Sequence, residues 1–309
     1  MKKFQMFTWI GEHNPSDFAN WSQQQLALVE QALDQWVGEG SPEPLRGAMR
    51  YAVLDGGKRL RALLVLATAQ AVQGSTEAAM RAACAIECVH AYSLAHDDMP
   101  CMDNDLLRRG KPSCHVQYGE AGALLAGDGL QTLAFELLTP QPSAAFPATM
   151  QAALCRILAR AAGPNGMVGG QAIDCDSVGK QLSMKQLKTM HAMKTGALLE
   201  ASVVMGAACG QSSPETQIGL QQYATAMGVA YQVVDDILDC TADTATLGKT
   251  AGKDAANDKP TYVSLLGLDG ARAQAKLLRE QADAGLQQAG LTHSGVLQSL
   301  ADFVINRAF

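Results

Sequence analysis

The chain has 309 residues, carries 24 Lys and Arg against 30 Asp and Glu, and has a formal net charge of −6. That balance lacks the basic stripe a nucleic-acid binder needs, so no nucleic-acid partner is expected. Hydrophobic residues make up 48% and aromatics only 5%, with Ala and Leu abundant, which favours helices packed on helices over a β-sandwich.

At the start, Lys2 and Lys3 precede a short stretch, FQMFTWI, that contains Gln and Thr and runs at once into Glu12 and His13. It lacks a small-x-small cleavage site and does not read as a secretory signal. The segments near 17–37, 43–73, 76–97, 119–138, 144–162, 183–209, 215–239 and 269–289 read as helices. Their apolar residues recur three and four apart, and most boundaries carry Gly, Pro or a capping residue. Ser183 with Gln186 offers a capping box, and Ser213 before Pro214 a helix start. TPQPSAAFP (139–147) and GPNGMVGG (163–170) read as loops, and convincing strand alternation is absent. With no linker or repeat, one domain over residues 1–309 is expected.

Apolar stretches such as 62–69 fall well short of the ~20 residues that cross a bilayer, so no membrane span is expected. The eight cysteines form no CxxC pair and several sit in apolar helical runs, which fits a reducing cytoplasm.

Two aspartate clusters stand out: Asp97, Asp98, Asp103 and Asp105 in HDDMPCMDND, and Asp235, Asp236 and Asp239 in DDILD. Each ends an otherwise apolar helical run. Carboxylates so close repel one another and cost desolvation energy, which cations relieve. Mg2+ suits such oxygen ligands and fills its remaining positions with water and substrate phosphate. Asp235 and Asp239 are four apart and share a helix face, with Asp236 to one side. Asp97 and Asp103 are six apart, roughly 120° around a regular helix, and converge only if the helix ends between them, which Pro100 favours.

Basic residues cluster as well. Gly56, Gly57, Lys58, Arg59 and Arg61 follow a helical stretch, Arg108 and Arg109 follow the first acidic cluster, and Gly248, Lys249, Lys253 and Lys259 follow the second. Gly admits close backbone approach to an anion, and Arg offers a fork that matches phosphate oxygens. GKT at 248–250 mimics the end of a P-loop, but Asp243 stands where its first Gly belongs and no strand precedes it. Taken alone, His90 among apolar residues is a core histidine and Lys194 a snorkelling lysine.

The blocks GGKRLR (56–61), ECVHAYSLAHDDMPCMDNDLLRRGKPSCH (87–115), GMVGGQAID (166–174), MKTGALLEAS (193–202), AYQVVDDILD (230–239) and LGKTAGKDAANDKPTYVSLLG (247–267) come in one order over about residues 45–267. They resemble the trans-type short-chain polyprenyl diphosphate synthases, and among them the bacterial farnesyl diphosphate synthases most. The resemblance implies an all-α isoprenoid synthase fold, a bundle of roughly ten or more helices around a central cavity. It implies a homodimer, and isopentenyl and allylic diphosphates as substrates. Asp97, Asp103 and Asp235, with Asp98 and Asp239 nearby, would hold three Mg2+ ions on the allylic diphosphate, so that its carbon–oxygen bond breaks to an allylic cation. Arg108, Lys194, Lys249 and Lys253 would contact the same diphosphate. Lys58, Arg61, His90 and Arg109 would hold that of isopentenyl diphosphate. Thr195 and Gln232 match positions whose oxygens face the cation, and Gln171 one near the second acidic helix. His96, His115, Cys84 and Cys88 keep structural readings.

Leu106 stands where the family often has an acidic residue, Ala62 where Pro is usual, and the chain ends INRAF where many relatives are more basic. A class I terpene cyclase would need a mixed Asn/Ser/Glu second motif and no isopentenyl site, and a non-catalytic partner subunit would lose an aspartate motif. Both motifs are intact. Tyr92 and Ser93, five and four residues before Asp97, match the floor that stops the growing tail, and Tyr92 lies roughly 7 to 8 Å from Asp97 along the axis. An aromatic there resembles enzymes that stop at C15, whereas C20 producers, the geranylgeranyl diphosphate synthases, carry a smaller or flexible residue.

Overall fold

The computed structural model describes Trp9 and residues 18–54, 56–177, 180, 182–241 and 261–306. Helices α1 (Phe18–Trp36), α2 (Glu43–Val53), α3 (Leu60–Ala71) and α4 (Thr76–Asp97) lead to a small antiparallel hairpin of β1 (Leu107–Arg108) and β2 (Lys111–Pro112). Then come α5 (Cys114–Leu138), α6 (Ala148–Ala162), α7 (Met167–Asp176) and α8 (Met184–His191), and a π-helical turn, Ala192–Gly196, that runs directly into α9 (Ala197–Ala208). The long helices α10 (Pro214–Thr241) and α11 (Tyr262–Ala289) and the shorter α12 (Gly295–Ile305) follow.

Side-chain size decides which helices occupy the centre. α4 is built largely of Ala with Cys, Met, Ile and Val, and it is buried without interruption from Ala78 to Val89. In α3 every residue but Gln70 is buried, and α9 is nearly as enclosed. A helix apolar all round belongs at the centre, and the small residues let neighbouring backbones come close. The outer helices bury one stripe each: in α1 it is Trp21, Gln25, Val29, Ala32, Leu33 and Trp36, spaced three and four apart. α10 and α11 pack along one another, and the Tyr223 hydroxyl donates to the Leu297 carbonyl at 2.8 Å to fasten α12.

The all-α expectation holds, and so do the predicted caps. Ser183 and Gln186 form a complete capping box, and the Ser213 hydroxyl accepts from the Thr216 amide at 3.1 Å. Several segments differ from the prediction. The expected helix over 43–73 is two helices, because Gly57 (φ +84°) and Arg59 (φ +47°) are left-handed. The segment 183–209 is interrupted by the π turn, α7 begins inside the stretch read as a loop, and α12 lies beyond the last expected helix. Gly119, where the expected helix over 119–138 starts, is a kink (φ +78°) within α5.

Candidate active site

At the C-terminus of α4 the chain turns back on itself. Asp98 caps the helix, its amide donating to the Leu94 carbonyl at 3.0 Å. The amide of Asp103 then reaches back to the Asp97 carbonyl at 2.9 Å, and that of Asn104, left-handed at φ +50°, to Met99 at 3.1 Å. Pro100 lies in this turn, where it interrupts no helical hydrogen bond. Asp97 and Asp103 are thereby brought together, and their proximity is felt electrostatically. Burial raises the Asp97 carboxyl above its ordinary value, Lys194 opposes this, and Asp103 pushes it higher. Asp98 faces the other way. It is 2% exposed and held by Arg108, whose Nε lies 3.1 and 3.2 Å from its two oxygens.

Lys194 and Thr195 sit on the π turn, an irregularity that re-aims side chains within a continuous helix. The Lys194 ammonium donates to Asp174 Oδ2 at 2.7 Å and lies 3.7 Å from Asp97 Oδ2. Burial alone would lower its pKa, but Asp97 and Asp174 together hold it above the ordinary lysine value. Gln171 donates to Asp97 Oδ1 at 2.6 Å, which sets it at the first acidic cluster. α7 can approach this closely because residue 170 is Gly: a Cβ there would lie 2.2 Å from the Lys194 amide nitrogen. Asp174, the main partner of Lys194, went unrecognised in the sequence although it closes the GMVGGQAID block.

The second acidic helix meets the same turn. A Cβ on Gly228 of α10 would lie 3.3 Å from the Gly196 Cα. Gln232 and Asp235 follow Gly228 by four and seven residues, so they rise from the same face of α10. Both are partly exposed, whereas Asp236 and Asp239 are buried.

A cationic group forms where α3 begins. Arg59 is buried, with Nε 2.7 Å from Glu30 and Nη1 3.1 Å from Glu87, and Glu87 also accepts the Ala62 amide at 3.1 Å. This network fixes the left-handed turn from which Lys58 and Arg61 project, a role the sequence did not reveal. Arg61 is buried with its Nε lacking any hydrogen-bond acceptor, a donor suited to an anion. Arg109 lies across the glycine pair, where a Cβ on Gly56 would meet its Nη1 at 2.7 Å. His90 joins this group. Desolvation, then the charges of Arg61, Arg109, Arg59 and Arg108, push its imidazole well below the ordinary histidine value, so it is neutral. Lys58 lies 5.9 Å from the centre of the Phe303 ring, which links the α12 end of the chain to this group.

Deeper along α4, Tyr92 is 6% exposed. The Ser93 hydroxyl donates to the His90 carbonyl at 2.8 Å. His96 stacks edge-on against Tyr92 and donates to the Leu124 carbonyl at 3.0 Å, and His115 bonds Ser113 at 3.0 Å, so both have structural partners. Lys249 and Lys253 lie outside the described residues.

Residues 42–293 match the family model described as polyprenyl synthetase. The chain belongs to the polyprenyl synthetase family. It is 46% identical to the farnesyl diphosphate synthase of Haemophilus influenzae over 87% of this chain and 90% of that one. It is 42% identical to the chloroplastic geranylgeranyl pyrophosphate synthase of Capsicum annuum, over 95% of this chain and 79% of the relative. Among solved structures, the geranyltransferase of Legionella pneumophila superposes with a TM-score of 0.85 at 32% identity, covering 96% of this chain and 99% of that one. This polyprenyl synthetase therefore has the isoprenoid synthase fold and is a prenyltransferase that uses a divalent metal.

Proposed function

We propose that this enzyme condenses isopentenyl diphosphate with dimethylallyl and then geranyl diphosphate to give farnesyl diphosphate, within a single domain. One observation carries the reading: Lys194 stands 3.7 Å from Asp97 of the first aspartate motif, on a π turn whose Gly196 touches the helix of the second. The two motifs and a half-buried cation therefore belong to one place, as ionisation of an allylic diphosphate requires.

The acidic residues suit Mg2+. Among the described residues no three His, Cys, Asp or Glu side chains gather to enclose an ion. Mg2+ takes one or two carboxylates and completes its shell with water and substrate phosphate. Asp97, Asp103 and Asp235 would hold three ions with substrate bound, and these would offset the charge on the leaving diphosphate. Lys194 and Arg108, with Lys249 and Lys253, bind the same diphosphate. Lys58, Arg61, His90 and Arg109 hold the diphosphate of isopentenyl diphosphate and orient its double bond. Thr195 and Gln232 turn oxygens to the allylic carbon as its bond to oxygen breaks. The double bond forms the new carbon–carbon bond, and the proton then lost goes to the departing diphosphate.

Tyr92 supports a C15 product. It is buried on α4 one turn and more before Asp97, where it blocks a longer tail. A homodimer is supported by exposed apolar residues on the hairpin and α5, namely Leu106, Leu107, Val116, Leu124 and Leu125. A cytoplasmic location goes with this reading; no described helix is long and apolar enough to cross a membrane. Incubation with Mg2+, isopentenyl diphosphate and geranyl diphosphate should yield C15 alcohol after dephosphorylation. A C20 product would favour a geranylgeranyl diphosphate synthase, and no product would refute the reading.

A further inference from the structure

Asp236 lies in the second aspartate motif beside Asp235, yet its carboxylate is turned into the protein. It is 2% exposed. Its Oδ1 accepts from Gln232 Nε2 at 2.8 Å, and its Oδ2 accepts from the backbone amide of Tyr262, also at 2.8 Å. Gln232 is one turn earlier on α10, and Tyr262 is the first residue of α11, whose amide has no acceptor within its own helix. One carboxylate thus joins a side chain of its own helix to the start of the next. Its neighbours Val233, Val234, Ile237 and Tyr262 belong to a buried apolar cluster, and at low local dielectric a bond to an ionised acceptor is stronger than a neutral one.

An ionised carboxylate only accepts, so the Gln232 amide can meet it only through its NH2 group. Flipping the amide would set Oε1 against Oδ1, two lone-pair atoms with no hydrogen between them. Asp236 therefore decides which end of the Gln232 amide remains for a ligand. It leaves the oxygen, which attracts a developing cation, where the NH2 group would repel it.

We propose that Asp236 is a positioning residue and not a metal ligand, fixing Gln232 with its oxygen toward the allylic cation and tying α11 to α10. The inference rests on the synthase reading, which places Gln232 beside that cation. It divides a motif of like residues by role: Asp235 faces the diphosphate, and Asp236 holds the helix ends and the amide.

Amide hydrogen exchange at Tyr262, followed in protein labelled with 15N-tyrosine, tests the tie without turnover; the chain has six tyrosines. Adding Mg2+ and inorganic pyrophosphate to the wild-type protein should leave Tyr262 exchange unchanged within about twofold. If Asp236 swings away to bind an ion, Tyr262 loses its acceptor, and faster exchange on that addition overturns the proposal. Asp236→Asn has one acceptor oxygen for two donors. In metal-free protein it should speed Tyr262 exchange about tenfold or more. It should also lower kcat about tenfold while the half-saturating Mg2+ concentration stays put. Asp235→Asn should instead raise the Mg2+ requirement as well as lower turnover, and leave Tyr262 exchange alone. An Asp236→Asn enzyme with a raised Mg2+ requirement would also overturn the proposal. A wild-type protein that forms no product would instead refute the synthase reading, and the exchange experiment would still decide the tie.

Discussion

Asp97 and Asp103 are joined through the backbone: the Asp103 amide donates to the Asp97 carbonyl at 2.9 Å, and this bond turns two residues six apart into neighbours. The left-handed Asn104 just after it completes the turn.

Asn104 is therefore the residue through which this turn can be tested. A β-branched residue resists φ near +50°, whereas Gly accepts it. Asn104→Val should lower stability by about 1–2 kcal/mol and, by displacing Asp103, slow turnover more than that loss of folded protein explains. Asn104→Gly should retain most of both. Thermal melts beside kcat measurements check this, and equal behaviour of the two variants would show that the turn does not position Asp103.

The cationic residues should divide by substrate. Arg61→Ala removes a buried guanidinium beside His90 and should mainly raise the KM for isopentenyl diphosphate. Lys194→Ala removes the cation beside Asp97 and should mainly impair use of the allylic substrate, in kcat as well as KM. Titrating each substrate against a fixed excess of the other separates the two, and a reversed pattern would exchange the assignments.

His90 gives a dependence on pH. Its folded value lies well below the ordinary 6.5, so between the two values the unfolded chain binds more protons and stability rises with pH. The stability this group contributes is present above the ordinary histidine value and is lost as pH falls toward the folded one. Between about pH 7.5 and 5.5, wild type should lose stability more steeply than His90→Gln, by at most about 1.4 kcal/mol per pH unit. Denaturant unfolding at several pH values would reveal it, and parallel curves would mean that His90 is not held neutral.

Tyr92→Ala should lengthen the product. The ring is buried beside His96, so its loss opens space beneath the growing tail and also costs about 3 kcal/mol of packing. Both effects are expected together: a lower melting temperature and product shifted from C15 toward C20. A destabilised enzyme that still stops at C15 would make Tyr92 a core residue and leave the floor elsewhere.

Much of this was legible in the sequence for a plain reason. Carboxylates such as Asp97 and Asp235 at the ends of apolar helices contradict the tendency of such helices to bury neutral side chains, so they stand out. Helix existence was legible from apolar spacing, and helix breaks were less so. Lys58 and Arg59 interrupt a spacing that continues on both sides; α2 ends where Leu54 turns extended, and the left-handed Gly57 and Arg59, the latter held by Glu30 and Glu87, redirect the chain into α3. GPNGMVGG reads as a loop from composition, yet Gly170 is there because the backbone at Lys194 leaves no room for a side chain. Contacts of this kind join residues far apart in the chain. The pairing of Lys194 with Asp174, of Gln171 with Asp97 and of Asp236 with Tyr262 follows from packing, and no local pattern announces it.

Removing one carboxylate from each motif tests most directly whether both act on one diphosphate through metal. Asp97→Asn and Asp235→Asn should each reduce turnover of geranyl diphosphate with isopentenyl diphosphate at least about 100-fold in saturating Mg2+, since losing a metal contact to the leaving group costs several kcal/mol and each 1.4 kcal/mol is about tenfold. Both variants should remain folded, because each loses a repelling charge. Near wild-type turnover in either folded variant would contradict the shared metal site.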